Sequence, residues 1–257
     1  MKNFRFLIKY IHYYLITRNK DNIHSPFVFD LLTNIIKDTT PFYIYKDIET
    51  IRSELLRSRK KIEVMDYGTG SSRLRMVKDI VKISAKSPKY AQLLFRLINH
   101  FQPQTLLELG TSLGISALYQ ASVSKGSKFI TVEGCPQTAE IARENFKKLN
   151  MDNIELIIDN FDEKLPDILQ QVKQLDYVFF DGNHRKKPTI SYFEQCLPLV
   201  GNNSFFIFDD IHYPEEMEDA WEVIKDHPSV TVTIDLFFMG LVFFRKELAK
   251  QHFVVRF

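Results

Sequence analysis

Several features that would mark particular classes of protein are scarce or missing in this chain of 257 residues. It has only two cysteines, Cys135 and Cys196, and their spacing matches neither a disulfide framework nor a zinc site. The apolar stretch 1–16 is interrupted by basic residues and lacks a small-residue cleavage site. We therefore predict neither a membrane span nor a signal peptide there, and we expect a cytoplasmic location.

The chain has no large excess of charge of either sign, because its formal net charge is only +2. Residues 1–100 nevertheless contain 19 Lys+Arg against 9 Asp+Glu, whereas residues 101–257 contain 15 against 23. The basic first part could bind a nucleic acid or another anionic partner. It could also be a helical layer that docks onto an acidic core. The basic residues are scattered apart from the run 57–61, which favours the second interpretation.

One stretch, residues 105–116, combines the features of a ligand-binding turn. An apolar run ends at Glu108, the chain then passes Gly110 and Gly114, and an apolar segment able to form a helix follows. A strand, a tight turn and a helix start in this order expose backbone N–H groups to a ligand. The dinucleotide fingerprint G-x-G-x-x-G is absent, because Ser112 occupies the position of its second glycine.

A second acid follows the next apolar run. Residues 128–132 read as a strand, and Glu133 comes directly after them. Ligands of open parallel sheets bind outside the carboxyl ends of the strands, so Glu108 and Glu133 are expected to face one pocket. An acid in the second position can hold the two hydroxyls of a ribose.

This combination of acid-x-Gly-x-x-x-Gly with a second acid resembles the class I S-adenosylmethionine-dependent methyltransferases. The resemblance implies a Rossmann-like fold and S-adenosylmethionine as cofactor. The residues that it implies for cofactor binding are Ser87, Glu108, Gly110, Thr111, Ser112, Gly114, Ser116, Glu133, Gly134, Asn160, Phe161 and Asp181.

The segment before the main strand resembles a narrower group. Residues 87–94, followed by 106–111, are similar to the entry of the catechol and caffeoyl-CoA type of O-methyltransferase. That likeness implies that Ser87 lies near the methionine part of the cofactor. Ala91 departs from the glycine that is usual in that group.

The rest of the chain alternates between apolar runs and amphipathic segments. The predicted strands are 128–132, 154–158, 175–180, 204–208, 230–236 and 240–244, and the predicted helices are 90–101, 136–149, 165–172, 189–197 and 215–225. This alternation favours a parallel sheet covered on both faces. We predict an α/β, Rossmann-like, open and mostly parallel seven-stranded sheet with an antiparallel C-terminal strand. It would occupy residues 84–257, and residues 1–83 would form an N-terminal helical extension or lid.

Two features of the first 83 residues support specific predictions. Ser25 and Pro26 form a helix start, with Ser25 as the cap and Pro26 in the first turn. Residues 64–72 imitate the main motif, since an acid precedes a Gly-rich turn there. Polar residues follow it instead of a buried helix, so we predict a loop that packs over the active site.

Acids also follow the fourth and fifth predicted strands. Asp181 ends one of them, Asp209 and Asp210 end the next, and His184 lies three residues after Asp181. Three carboxylates that converge would repel one another unless a cation lay among them, and their oxygens suit Mg²⁺. Each acid alone could equally cap a turn. His212, next to the acid pair, fits a substrate contact or a solvated loop residue equally well.

The pattern Asp-Gly-x-His followed by Asp-Asp is similar to metal-dependent sugar O-methyltransferases. That resemblance implies Asp181, Asp209 and Asp210 as Mg²⁺ ligands and His184 as the general base, with Asp181 also catalytic. The chain is thus expected to be a methyltransferase that acts on a hydroxyl of a small acceptor, and a homodimer is possible. Two alternatives stay open: a tRNA base-hydroxyl methyltransferase and a non-catalytic cofactor-binding regulator. An Asn/Asp-Pro-Pro-aromatic motif, typical of many base N-methyltransferases, is missing.

Overall fold

The structure is a computed structural model that describes residues 2–17, 23–66 and 71–257. The chain divides into two compact units. Unit 1 comprises Met1–Asp38 and Val172–Phe257, and unit 2 comprises Thr39–Gln171. The predicted domain boundary after residue 83 stays a prediction. None of the helices in the described ranges is long and apolar enough to cross a lipid bilayer.

The secondary structure follows the expected alternation. The helices are α1 (Lys2–Ile16), α2 (Pro26–Leu31), α3 (Tyr43–Arg57), α4 (Val77–Ser84), α5 (Pro88–Phe101), α6 (Ile115–Ala121), α7 (Pro136–Lys148), α8 (Phe161–Gln170), α9 (Lys186–Cys196) and α10 (Glu215–Asp226). The strands are β1 (Lys61–Asp66), β2 (Ser71–Met76), β3 (Thr105–Leu109), β4 (Lys128–Glu133), β5 (Ile154–Ile158), β6 (Leu175–Phe180), β7 (Val200–Asp209), β8 (Val232–Asp235), β9 (Met239–Phe243) and β10 (Gln251–Val254). A π-helical turn, Leu32–Ile36, continues α2, and a 3₁₀ turn, Leu197–Leu199, follows α9.

Unit 2 contains three parallel strands in the order β3-β4-β5. Leu107 pairs with Ile130 and Val132 pairs with Ile157, so apolar side chains run through the ladder. The interiors of β3 and β4 are buried in an almost unbroken row. Strands with this composition require cover on both faces, as parallel strands between helices have.

Unit 1 contains five strands in the order β10-β8-β9-β7-β6. β6 and β7 are parallel, and β9 is antiparallel to both β7 and β8. The antiparallel finish predicted from 230–236 and 240–244 is therefore confirmed. The strands make a mostly parallel, Rossmann-like α/β sheet, as predicted, but with eight strands instead of seven. The additional strand, β10, lies parallel to β8 and pairs Phe253 with Ile234.

The prediction of a loop over residues 64–72 is wrong. β1 and β2 form an antiparallel hairpin there, with Lys61 opposite Met76 and Val64 opposite Arg73. Among the side chains that the structure describes at 61–65 and 72–76, only Ile62 is buried and most of the others are exposed. The segment therefore has little of the apolar pattern that marks a strand. Residues 67–70 lie outside the described residues. Packing of this segment over an active site stays a prediction.

The helical beginning of the chain agrees with its sequence pattern. α1 and α2 lie within the predicted helical extension of residues 1–83, and α2 starts at Pro26. The backbone N–H of Val28 donates to the Ser25 hydroxyl at 3.4 Å, so Ser25 is the N-cap, as predicted.

Candidate functional site

The Gly-rich turn of unit 2 joins β3 to α6 through three residues with positive φ. They are Gly110 at 113°, Ser112 at 48° and Gly114 at 82°. A Cβ on Gly114 would lie 2.6 Å from Cε1 of Phe146, so only glycine fits there without displacing the ring. The N–H groups of Gly110 and Thr111 both donate to the Val132 carbonyl, at 3.0 and 3.2 Å. The turn is therefore held tightly against β4.

Glu133, the last residue of β4, is bonded directly to this turn. Its Oε2 accepts the N–H of Ser112 at 2.7 Å, and its Oε1 accepts the N–H of Cys135 at 2.8 Å. The Thr138 hydroxyl donates to Oε1 at 3.1 Å. Burial raises the pKa of Glu133 above its ordinary value, while these hydrogen bonds act in the opposite direction. A carboxylate fixed beside a Gly-rich turn has the chemistry needed to accept hydrogen bonds from ribose hydroxyls.

Glu108 is placed differently, because its side chain is fully buried. Its Oε1 accepts a hydrogen bond from Gln120 Nε2 at 2.6 Å, and its Oε2 accepts one from the Thr131 hydroxyl at 2.6 Å. Thr131 in turn lies 2.6 Å, hydroxyl to hydroxyl, from Thr111. Glu108 thus ties β3 to α6, to β4 and, through Thr131, to the Gly-rich turn. Its predicted contact with the cofactor stays a prediction.

We expect Glu108 to make the stability of the fold depend on pH. Burial raises its pKa to about 7 from an ordinary value of 4.5. Because the pKa is higher in the folded state, the stabilisation from Glu108 is fully present below pH 4.5 and is lost as the pH rises through 7. The advantage of the wild type over Glu108→Gln in free energy of unfolding should therefore shrink by about 3 kcal/mol between pH 4.5 and about pH 8. Urea unfolding followed by circular dichroism measures it.

The control for this experiment is Glu155→Gln, because Glu155 is an exposed carboxyl on β5 of the same unit. Its free energy of unfolding should stay close to that of the wild type, because a surface substitution of this kind changes stability little. If the difference in free energy of unfolding between the wild type and Glu108→Gln does not change with pH, burial does not raise the pKa of Glu108.

Asp181 lies in unit 1, and the other residues predicted to bind the cofactor lie in several places in unit 2. Ser87 is the N-cap residue of α5 and is exposed, with no side-chain bond to the helix. Another serine, Ser84, contacts the Gly-rich turn, because its hydroxyl lies 2.8 Å from the hydroxyl of Ser112. The predicted place of Ser87 near the cofactor stays a prediction. Asn160 caps α8 by accepting the N–H of Asp162. Ser116 is buried beside Glu108, and Gly134 and Phe161 follow β4 and begin α8 respectively.

A second cluster, which we call the acid cluster, consists of Asp181, His184 and Asp209 in unit 1. Asp181 follows β6 and Asp209 ends β7. One ligand atom from each residue lies within 4.8 Å of those of the other two, and His184 Nε2 is 3.9 Å from Asp181 Oδ1. The His184 side chain is 31% exposed, whereas Asp209 is buried. The structure therefore brings together three of the four residues predicted for the metal and its base.

The donor set of the acid cluster fits a divalent cation. Two carboxylates so close to each other are mutually repulsive until a positive charge lies between them. Carboxylate oxygens alone suit Mg²⁺, and an imidazole as third ligand would favour a metal such as Zn²⁺ or Fe²⁺. Asp210, the remaining predicted ligand, is not part of the cluster. Its backbone has a φ of 52°, and its N–H donates to the carbonyl of Phe238 at 2.7 Å.

His212, which follows Asp209 and Asp210 in the chain, makes a separate set of contacts. Its Nε2 lies 2.8 Å from Oδ2 of Asp235, and its ring stacks on Phe237 with centroids 5.0 Å apart. Oδ1 of Asp235 accepts the N–H of Phe237 at 2.7 Å. From the sequence alone, His212 fits a substrate contact and a solvated loop residue equally well. The structure holds its ring in place through an acid 23 residues further along the chain.

Comparison with known proteins gives a match over the middle of the chain. Residues 107–211 match a family model described as a methyltransferase domain. That range includes the Gly-rich turn, Glu133 and all three residues of the acid cluster.

Individual relatives agree with that match. The chain is 26% identical over 134 residues to a catechol O-methyltransferase of Niastella koreensis, covering 51% of this chain and 58% of that protein. It is 34% identical over 87 residues to a transmembrane O-methyltransferase of Propithecus coquereli, covering 33% of this chain and 32% of that protein. The matches thus span between a third and somewhat over half of these relatives.

A solved structure shows the same fold. An O-methyltransferase from Bacillus cereus, in complex with S-adenosylhomocysteine, superimposes with a TM-score of 0.56 at 18% identity, over 84% of this chain and 96% of that one. The domain match, these relatives and the fold agree with the class I O-methyltransferases, the family that its sequence motifs resemble.

Proposed function

We propose that the protein transfers a methyl group from S-adenosylmethionine to a hydroxyl of a small acceptor, assisted by a divalent cation. The observation that carries this proposal is the convergence of Asp181, His184 and Asp209 in unit 1. A fold of this family alone would fit many methyl acceptors. An imidazole beside two carboxylates can act as a general base that removes a proton from a bound hydroxyl.

Unit 2 supplies the cofactor side of this proposal. Glu133 would accept hydrogen bonds from the ribose hydroxyls, and the tight turn from Gly110 to Gly114 would let the backbone approach the nucleoside closely. Glu108 is linked to this turn by hydrogen bonds through Thr131. This supporting role would not require a contact between Glu108 and the cofactor. S-adenosylmethionine supplies an activated methyl on a sulfonium, so the protein mainly contributes position and electrostatics.

Unit 1 supplies the acceptor side. Asp181 and Asp209 would hold the cation, which would supply the positive charge that acidifies a bound hydroxyl. Asp210 lies outside the acid cluster, and its role as a ligand stays a prediction. His184 would accept the proton of the acceptor, because its side chain is accessible while Asp209 is buried. The Nε2 atom of His184 lies 3.9 Å from Oδ1 of Asp181.

A second candidate, methylation of a tRNA base hydroxyl, is favoured by one arrangement in unit 2. The hairpin places Arg73 and Arg75 on one face of β2, opposite Val64 and Ile62 of β1. Both arginine side chains are exposed. Phosphate contacts make binding strongly salt-dependent. RNA binding that weakens steeply with added salt would support this candidate, and no RNA binding at low salt would remove it.

Calorimetry tests the main proposal. S-adenosylhomocysteine should bind with or without a divalent ion, and Mg²⁺ or Mn²⁺ should bind to the wild type but not to Asp209→Ala. Metal binding that is equal in both proteins would show that the acid cluster is not the metal site. Cofactor binding without any metal effect or methyl transfer would favour the non-catalytic, regulatory alternative.

The cytoplasmic location stays a prediction.

A further inference from the structure

His184 is the middle residue of a tight turn in the segment that follows β6. The backbone N–H of Arg185 donates to the carbonyl of Asn183 at 2.6 Å, so one hydrogen bond closes a turn of three residues. Asn183 has a φ of 52°, which lies in the left-handed region. The backbone that joins Asp181 to His184 therefore has an unusual and well-defined conformation.

The residue type at position 183 is informative because glycine would adopt this conformation more easily. A left-handed backbone costs free energy for residues with a Cβ, although asparagine tolerates it better than most. Residues other than glycine in this region are found preferentially at functional sites, where the surrounding structure holds them in place. We therefore asked what the side chain of Asn183 contributes that a glycine would not.

The side chain of Asn183 is bonded to a buried tyrosine of α9. Its Nδ2 donates to the hydroxyl oxygen of Tyr192 at 3.0 Å. The Tyr192 side chain is only 2% exposed. A large ring in a close-packed interior has little room to move, so its hydroxyl is a fixed point for the amide. This hydrogen bond ties the turn to the interior of unit 1.

The other end of the turn is held by α10. The N–H of Lys186, the first residue of α9, donates to Oε2 of Glu216 at 3.1 Å. Arg185, the N-cap residue of α9, makes no capping bond with its own side chain, so Glu216 supplies an acceptor for this helix start. The chain is thus fixed on both sides of His184, at Asn183 and at Lys186.

We infer that Asn183 and Tyr192 are positioning residues of the acid cluster. Their hydrogen bond fixes the turn between Asp181 and His184, and it thereby sets the place of both side chains relative to Asp209. Neither Asn183 nor Tyr192 would touch the cation. The inference rests on the metal site proposed above. Residues that orient the ligands of a metal commonly affect its affinity by 10-fold or more.

Calorimetry of the full chain with Mn²⁺ alone tests the inference. Tyr192→Phe removes the hydroxyl and keeps the ring, and Asn183→Gly removes the amide and keeps the left-handed conformation accessible. Each variant should bind Mn²⁺ about 10-fold more weakly than the wild type. The double variant should be no weaker than either single one, because both substitutions delete the same hydrogen bond. Losses that multiply in the double variant would show that the two residues act independently, and would overturn the inference.

The control variant is Thr189→Ala, a change on the same helix that does not touch the turn. Thr189 is buried, and its hydroxyl donates to Sδ of Met217 at 3.4 Å. This variant should lower the midpoint of thermal unfolding but bind Mn²⁺ like the wild type. If it weakens Mn²⁺ binding as much as Tyr192→Phe does, the effect comes from the stability of α9, and the positioning role is wrong.

Asp209→Ala separates failure of this inference from failure of the proposed function. If Asp209→Ala loses Mn²⁺ while Tyr192→Phe binds it as tightly as the wild type, the acid cluster is the metal site and only the positioning role is overturned. If the wild type itself binds no Mn²⁺, the proposed metal site is wrong, and the inference is overturned with it.

Discussion

His184→Ala should lower kcat by about 10²–10⁴-fold, because the acceptor hydroxyl would lose the group that takes its proton. The Kd for S-adenosylhomocysteine should not change, since His184 is not among the residues predicted to bind the cofactor. A methyl-transfer assay at saturating cofactor, combined with calorimetry of cofactor and metal, separates these effects. The His184 side chain is 31% exposed, so its removal should leave the fold intact.

The matched control is His100→Ala, which removes an exposed histidine at the end of α5. It should keep wild-type kcat. Calorimetry then decides between the two roles of His184. Loss of metal affinity together with activity would make His184 a ligand and remove it as the base, and unchanged kcat would contradict both roles.

Glu133→Ala should weaken binding of S-adenosylhomocysteine by about 10–100-fold, or roughly 1.5–3 kcal/mol. The carboxylate would be lost both as an acceptor for the ribose hydroxyls and as an acceptor for the Ser112 N–H that shapes the turn. Calorimetry measures the affinity, and thermal unfolding shows whether the fold survives.

The control variant for Glu133 is Glu140→Ala, which removes an exposed carboxylate from α7. It should bind the cofactor like the wild type. Glu133→Gln keeps one carbonyl acceptor and should give an intermediate affinity. If Glu133→Ala binds as tightly as the wild type, the ribose role is wrong.

The central part of the fold could be predicted because its strands are apolar runs bounded by turns. The strands at 154–158 and 175–180 agree with β5 and β6 to the residue, and Glu133 was expected at the end of β4. Helix starts were less accurate. α8 begins at Phe161 and α9 at Lys186, several residues earlier than predicted, since polar first turns carry no apolar periodicity.

The elements that were missed depend on contacts that a local pattern does not contain. β10 begins with the exposed pair Gln251 and His252 and gains its place only by pairing with β8. The β1–β2 hairpin is mostly exposed, so nothing in its composition distinguishes it from a loop.

The residue types of the site could be predicted better than the hydrogen-bond partners of those residues. Acids at strand ends led to Glu133, Asp181 and Asp209, because parallel strands present their carboxyl ends at one edge. The partners of Glu108 were not foreseen, although one signal was present. Thr131 is the only polar side chain between Phe129 and Val132, and a polar residue inside a buried strand usually has a buried partner.

The contact between Tyr13 and Val255 joins residues that are 242 positions apart. On the ribosome, which adds about 5–20 residues each second, α1 would emerge some 10–50 seconds before its inner face has anything to cover it. Both apolar sides of α1 are exposed to solvent during that interval, so we expect a chaperone to bind the nascent chain. Slow synthesis should therefore lower the yield of folded protein, and co-expression of such a holding factor should restore it.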